Sequence, residues 1–306
     1  MAVLNPPRVL PGLGRSIVNF LIETRSSWDE PKLLESFKPS GMNEDATAAD
    51  GVKNTLSAFR AVGILQNDSH GNITITRSVK EHGQVFSRTA FRRLMLAHVL
   101  DLGRDGDPWS VDEGDATTRG ARDLTRALSW FLAQDALGPP LSWTDNMQKL
   151  QSAQFRTNDN LQWAITNDTR WNAFSRWAPA LGLASPSMAR TKPGLVPLAT
   201  VAVADAVDGI PAARMPINEF LGILARKLPI LPGGVIRNGL VNRLGSDPDP
   251  GIRSNAVDTS VAQVLRLLES RGRLEFENLA DADGVQLSRS DQARVTHVTL
   301  KGGEQK

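Results

Sequence analysis

The 306-residue chain carries 35 Lys and Arg against 33 Asp and Glu, a net charge of +2, with 41% hydrophobic and 22% charged residues. That is the composition of a globular protein long enough for two or three domains with their own cores, and it creates no global field that would by itself attract a polyanion. Cysteine is absent, which excludes disulfides, thiolate metal ligands and a thiol nucleophile.

Residues 1–14 hold Pro6, Pro7 and Pro11 and lack the charged-then-apolar pattern of a leader. The longest apolar run, Leu195 to Ala204, is interrupted by Pro197 and is far too short for a bilayer, so a cytoplasmic chain without membrane contact is expected. Leu10, Leu13, Ile17, Phe20 and Leu21 recur at helical spacing and predict a helix over 9–25. Asp29, Glu30 and Pro31 suit the start of a short helix over 31–37, where acidic residues favour the dipole and proline lacks an N–H that would be unpaired anyway. A third helix is expected from a cap at Asp50, with Val52, Leu56, Phe59 and Val62 inward and Gly63 as its stop. Ile64-Leu65, a turn through Asn67 to Gly71, and the alternating Ile73 to Thr76 then predict a hairpin. Three helices and a hairpin follow the winged-helix order, so an N-terminal winged-helix domain is expected over 1–83.

Helices over 88–103, 118–135 and 142–156, with a Gly- and Asp-rich loop at 104–117, predict a helical middle domain over 84–210. Within it, the amphipathic stretch Trp171 to Ala184 ends in Leu181-Gly182-Leu183 and suggests a degenerate winged helix at 160–205. The last domain, 211–306, offers helices at 216–228, 234–244 and 258–271, a strand over Arg273 to Glu277 and a second strand region after Gly284. An offset of 209 residues (261 against 52) places Val52 on Val261, Leu56 on Leu265, Phe59 on Leu268, Gly63 on Gly272 and Leu65 on Leu274. The expected fold class is therefore mainly α (α+β), with winged-helix domains at the two ends flanking a helical middle.

In a winged helix the outer face of the third helix enters the major groove. Lys53, Asn54, Ser57 and Arg60 fall there, and these types engage phosphate, guanine or adenine; the same residues also suit a merely solvated helix face. Arg88, Arg92 and Arg93 form a second basic cluster, fit for phosphate or an acidic partner. The first wing, Asn67, Asp68, Ser69 and His70, adds little positive charge. In the last domain Gln263, Arg266 and Arg271 are offset by Asp258 and Glu269, and the wing carries Asp281 and Asp283, so a protein partner is expected there. Trp163, Trp171, Phe174 and Trp177 read as core rather than as a base-stacking platform.

Enzyme signatures are not met. Of four histidines, His70, His82 and His98 stand in one region and His297 far away, without HExxH; the Asp281 to Gly284 segment places Leu279 and Ser290 where calcium ligands are needed. Gly12-Leu13-Gly14 lacks the third glycine of a dinucleotide loop, and neither GxxxxGK[ST] nor GxSxG occurs. No catalytic, cofactor or metal site is expected, and the chain is read as a non-enzyme.

Leu4-Asn5-Pro6-Pro7-Arg8-Val9-Leu10-Pro11, Ala61-Val62-Gly63-Ile64-Leu65 and the run Phe174 to Ala184 (FSRWAPALGLA) resemble the DpdG proteins. These belong to bacterial gene clusters that install 7-deazaguanine derivatives in DNA and restrict foreign DNA. The resemblance implies an antiviral defence setting beside modification, helicase and nuclease partners, and it carries no catalytic residues over. Two readings result: a non-catalytic DNA-binding or DNA-adjacent adaptor of a modification and restriction system, or a protein-interaction scaffold whose winged helices never meet DNA.

Overall fold

The computed structural model describes residues 2–5, 8–38, 46–110, 120–155, 163–189, 191–249, 256–287 and 294–301. The chain is an α+β protein, roughly half helical, with small antiparallel sheets. In chain order the described elements are α1 (Pro11–Thr24), α2 (Glu30–Phe37), α3 (Ala46–Ala61), β1 (Leu65–Asn67), β2 (Ile73–Ile75), α4 (Arg77–Lys80), α5 (Arg88–Val99), α6 (Leu102–Asp105) and α7 (Arg122–Ala133). They continue with α8 (Met147–Gln154), α9 (Asp168–Ala180), β3 (Ser185–Pro186), β4 (Leu195–Val196), α10 (Thr200–Asp208), β5 (Arg214–Pro216), α11 (Ile217–Lys227) and α12 (Val235–Val241). The last are α13 (Thr259–Ser270), β6 (Leu274–Glu277), β7 (Val285–Gln286), β8 (Arg294–Val295) and β9 (His297–Leu300). Two compact units divide the chain, Met1–Ala127 with Gln162–Leu181, and Leu128–Leu161 with Gly182–Lys306. Part of the Gly- and Asp-rich loop expected at 104–117 lies outside the described residues, as does Ser290.

In the first unit, α1 starts at a proline and packs on α3 and α9. Its buried face is Gly14, Ile17, Val18 and Leu21, while Leu10 is 40% exposed. The inward stripe is therefore rotated from the one the apolar spacing suggests, because the Phe59 ring of α3 lies where a side chain at position 14 would go. Only a residue without Cβ permits that approach, which explains Gly14 without a nucleotide. Helix α3 begins a turn before Asp50, which sits exposed inside it rather than capping it; Ala46, Ala48 and Ala49 are strong helix formers that extend the helix backwards.

Val52, Leu56, Phe59 and Val62 are buried to within 2% exposure, as the spacing predicts. At the end of α3, Gly63 has φ +73°, its N–H donates to the Arg60 carbonyl (3.0 Å), and the Ile64 N–H donates to Phe59 (3.0 Å). That is a Schellman ending, in which a left-handed residue lets the chain turn back over its own last carbonyls. Strands β1 and β2 follow as an antiparallel pair, Leu65 opposite Ile75. Trp28, between α1 and α2, exchanges hydrogen bonds with Ile73 (2.9 and 2.7 Å) and adds a third extended segment at the far edge of β2.

The N-terminal run is tied in by one carboxylate. Asp123, fully buried near the start of α7, accepts the N–H groups of Val3 (3.3 Å), Leu4 (2.8 Å) and Leu124 (2.8 Å), with the Arg170 guanidinium 4.0 Å away. Burial pushes this carboxyl up from 3.8 to about 6, against the pull of those N–H groups and of Arg170.

The second unit repeats the helix ending. Gly272 has φ +68°, its N–H donates to Glu269 (2.8 Å), and the Arg273 N–H donates to Leu268 (2.9 Å). Val261, Leu265, Leu268 and Leu274 are buried like their counterparts in the first unit. The strand pattern departs from the expected simple hairpin. β6 pairs with β9 rather than with the segment just after Gly284, β5 covers the other edge of β9, and β7 pairs with β8. Alternate burial along β9, with Val298 and Leu300 inside, makes it the central strand, whereas Val285 and Gln286 are only half-buried. The helices expected over 88–103 and 142–156 are shorter, since Asp101 caps a new turn at Gly103 (2.9 Å) and α8 begins at Met147.

Two predictions follow from these constraints. Between pH 4 and pH 7 the stability of the wild type relative to Asp123→Asn should fall by about 2 kcal/mol, since a carboxyl whose pKa is raised on folding stabilises the native state when protonated and loses that contribution as pH rises through 6. Denaturant titrations across that range measure it, and a pH-independent difference would refute the assignment. Gly272→Ala should cost about 1–2 kcal/mol from the left-handed backbone alone, and Gly63→Ala more. A Cβ at Gly272 meets open space, whereas at Gly63 it would come 2.6 Å from the Arg104 guanidinium.

Candidate nucleic-acid interface

Helix α3 presents Lys53 exposed and Asn54 and Ser57 half-buried, outside the buried arc of Val52, Leu56 and Phe59. This is the pattern the helical spacing predicts for an outward face. Arg60 is different. Its guanidinium pairs with Glu30 in the first turn of α2, with both side chains about seven-tenths covered (27% and 31% exposed), and its Nε is buried without a hydrogen-bond partner. Arg60 therefore ties α2 to α3, and less of it faces outward than its place in the sequence suggests. The Asp29-Glu30 pair, read in sequence as a helix-dipole feature, supplies that partner.

The second basic cluster stands on α5, whose first turn is capped by the Ser87 hydroxyl accepting from the Ala90 N–H (3.1 Å). Arg88 and Arg93 are exposed and Arg92 is half-buried. The two groups of cations lie on separate helices whose inner faces meet at Phe59 and Phe91, ring centroids 5.9 Å apart. His98 of α5 reaches the Val62 carbonyl at the end of α3 (3.0 Å), and burial lowers its imidazole below the ordinary value.

At the tip of the β1–β2 hairpin Asp68 accepts the N–H groups of His70 and Asn72, each at 2.9 Å. The Ser27 hydroxyl, more than these backbone groups, holds its carboxyl below the ordinary range, so the tip carries a fixed negative charge. A phosphate would be repelled there.

The corresponding helix of the second unit is placed otherwise. Thr259, Ser260, Val261 and Ala262, the first turn of α13, are all buried, with the Ser260 hydroxyl donating to the Leu132 carbonyl (2.8 Å) and the Ala136 N–H to Thr259 (3.0 Å). Asp258 pairs with Arg237, itself 6% exposed and donating to the Ser129 carbonyl (2.9 Å). Burial pushes the Asp258 carboxyl up while the guanidinium opposes it. Farther along, Arg266 pairs with Glu269 (2.9 Å) and lies over the Phe276 ring at 6.0 Å, and Arg273 pairs with Asp208. Gln263 is half-buried, Arg271 is exposed, and the exposed Asp281 and Asp283 lie beyond β6.

Trp171, Phe174 and Trp177 are buried on α9, with Trp177 stacked 5.7 Å from Phe59, so they build core, as their spacing predicts; Trp163 is half-buried. Among the described residues no group of His, Asp and Glu is arranged to hold a metal ion, and no helix is long and apolar enough to cross a membrane. Comparison of the chain with known proteins matches the DpdG-like family model over residues 1–282. No curated protein and no solved structure matches.

The pairing of α2 to α3 is testable by a double-mutant cycle. Glu30→Ala and Arg60→Ala should each destabilise the protein, with a coupling of about 1 kcal/mol at this partial exposure. The reversed pair, Glu30→Arg with Arg60→Glu, should recover most of the loss in a denaturant titration, and full additivity would remove the tie.

Proposed function

We propose that this chain, which belongs to the DpdG-like family, is a non-catalytic winged-helix adaptor whose N-terminal unit meets DNA through the outer face of α3. Membership associates it with a 7-deazaguanine modification system and its defence cluster. On this reading residues 1–83 and 211–306 are winged-helix domains flanking a helical stretch over 84–210, and the protein positions other components of the cluster on DNA in the cytoplasm rather than performing chemistry.

The observation that carries the reading is the contrast between the two third helices. Both end on a left-handed glycine and lead into paired strands, but Lys53 stands open on α3 while the first turn of α13 is buried. The outer face of such a helix is the one that reads a groove, and at the 209-residue offset Lys53 aligns with Ala262, so the same position is exposed on α3 and buried on α13. Lys53 is placed for phosphate or guanine and Asn54 for adenine, with Ser57 one turn on. Arg88, Arg92 and Arg93 serve as a phosphate track, and Arg60 acts mainly by holding α3 against α2.

A protein partner is the second reading, and it is favoured for the C-terminal unit in particular. Val235 and Val241 on α12 are 62% and 56% exposed, and the neighbouring turn with Pro229 and Pro232 borders a cavity of about 610 Å³ lined also by Leu221, Ala225 and Val235. Exposed apolar groups beside a concave surface suit a subunit contact.

Fluorescence anisotropy with a duplex at rising salt tests the DNA reading. Lys53→Glu should weaken binding by roughly tenfold and flatten the salt dependence by about one unit of slope, the signature of a lost phosphate contact. Affinity indifferent both to salt and to Lys53→Glu would refute it.

A further inference from the structure

Strands β3 and β4 pair antiparallel, Ser185 opposite Val196 and Pro186 opposite Leu195, and form a hairpin in the second unit. Its base is fixed. Leu195 exchanges hydrogen bonds with Leu141 (2.8 and 2.9 Å), and a Cβ at Gly194 would lie 2.6 Å from the Leu141 carbonyl oxygen, so the close approach needs a glycine there. The tip is closed by its own bonds: the Ser187 N–H donates to Gly194 (2.9 Å), the Ala189 N–H to the Ser187 hydroxyl (3.2 Å) and the Lys192 N–H to Ala189 (3.1 Å).

On this anchored loop Met188 is 96% exposed, the most exposed large apolar side chain among the described residues. Lys192 is exposed beside it, as are Pro186 and Pro193. From Ser185 to Leu195 the sequence holds two cations, Arg190 and Lys192, and no acidic residue. The β1–β2 tip differs in sign, carrying Asp68, and so does the segment after β6, carrying the exposed Asp281 and Asp283.

An unshielded apolar side chain on the same loop as an exposed lysine, in a stretch whose sequence from Ser185 to Leu195 holds no carboxylate, matches the needs of a loop that meets a minor groove. Lysine offsets phosphate charge at the groove wall, and an apolar side chain such as methionine can press between base steps. A protein-docking patch would instead require several apolar side chains gathered around the first. We propose that the β3–β4 tip is a DNA-contacting wing, with Lys192 on phosphate and Met188 in the minor groove of a duplex. The proposal shares with the reading above the premise that the chain binds duplex DNA, and it assigns that binding a separate element.

The test uses the full-length chain and a fluorescent duplex of about 25 base pairs, a little over two helical turns, with thermal melting to verify each variant's fold. Lys192→Glu should weaken binding roughly tenfold and lower the salt slope by about one, whereas Met188→Ser should weaken it several-fold with the slope unchanged, since it removes an apolar contact and no charge. If both hairpin variants bind like the wild type while Lys53→Glu weakens binding, the wing is overturned and the α3 reading stands. If the hairpin variants weaken binding and Lys53→Glu does not, the wing stands and α3 is excluded as the contact. A wild type that fails to bind duplex at low salt overturns both.

Discussion

A helix followed within a few residues by a strand must satisfy its last carbonyls while reversing direction, and in both units a left-handed glycine does this. Gly63 brings the Ile64 N–H onto Phe59, and Gly272 brings the Arg273 N–H onto Leu268. The turn fixes more than the end of the helix. It sets Leu65 and Leu274 inside as the first strand residues, and so determines which face of α3 or α13 lies against the core. Everything assigned to the outer face of α3 depends on that rotation. An L-residue in the same conformation costs about 1–2 kcal/mol, a large share of the 5–15 kcal/mol by which domains are stable.

Helices were readable because their signal is local. Val52, Leu56, Phe59 and Val62 repeat at helical spacing within one stretch of chain, and the offset repeat at Val261, Leu265 and Leu268 predicts the same inward face, which is what the structure shows. Strands of two to four residues give too few alternations for such a signal. β5 is Arg214-Met215-Pro216, a sequence with no strand character of its own, and it pairs because β9 offers an unfilled edge. Trp28 joins Ile73, and Val3 and Leu4 reach Asp123, across intervals of sequence that no local pattern spans. The rotation of α1 has the same origin, for the face it buries is chosen by Phe59 from another helix.

The candidate interface was legible to the extent that it is a matter of helical phase. Lys53 is exposed because it falls outside the buried arc formed by Val52, Thr55, Leu56 and Phe59. Which outward cation is available for a partner is a different matter, since a side chain as long as arginine can fold back onto its own protein. Arg60 does so toward Glu30, and Arg266 toward Glu269 and Phe276. The charge of the first hairpin tip was readable from Asp68, whereas the hydrogen bond it receives from Ser27, a residue in a different segment, was not.

Helices α3 and α13 share an ending and diverge at the aligned positions Lys53 and Ala262, and the divergence is in burial rather than in charge alone. The first turn of α13 is built of Thr259, Ser260, Val261 and Ala262, whose small side chains and hydroxyls allow the Leu132 and Ala136 backbone to close over them. Removing that cover would leave Ser260 and the Ala136 N–H without the hydrogen bonds they now make and would uncover Val261, a combined cost no groove contact by this short-chained turn would offset. α3 has no comparable commitment at Lys53. The same helical frame is therefore an element with an outward face at Lys53 in one unit and an inward-facing structural member in the other.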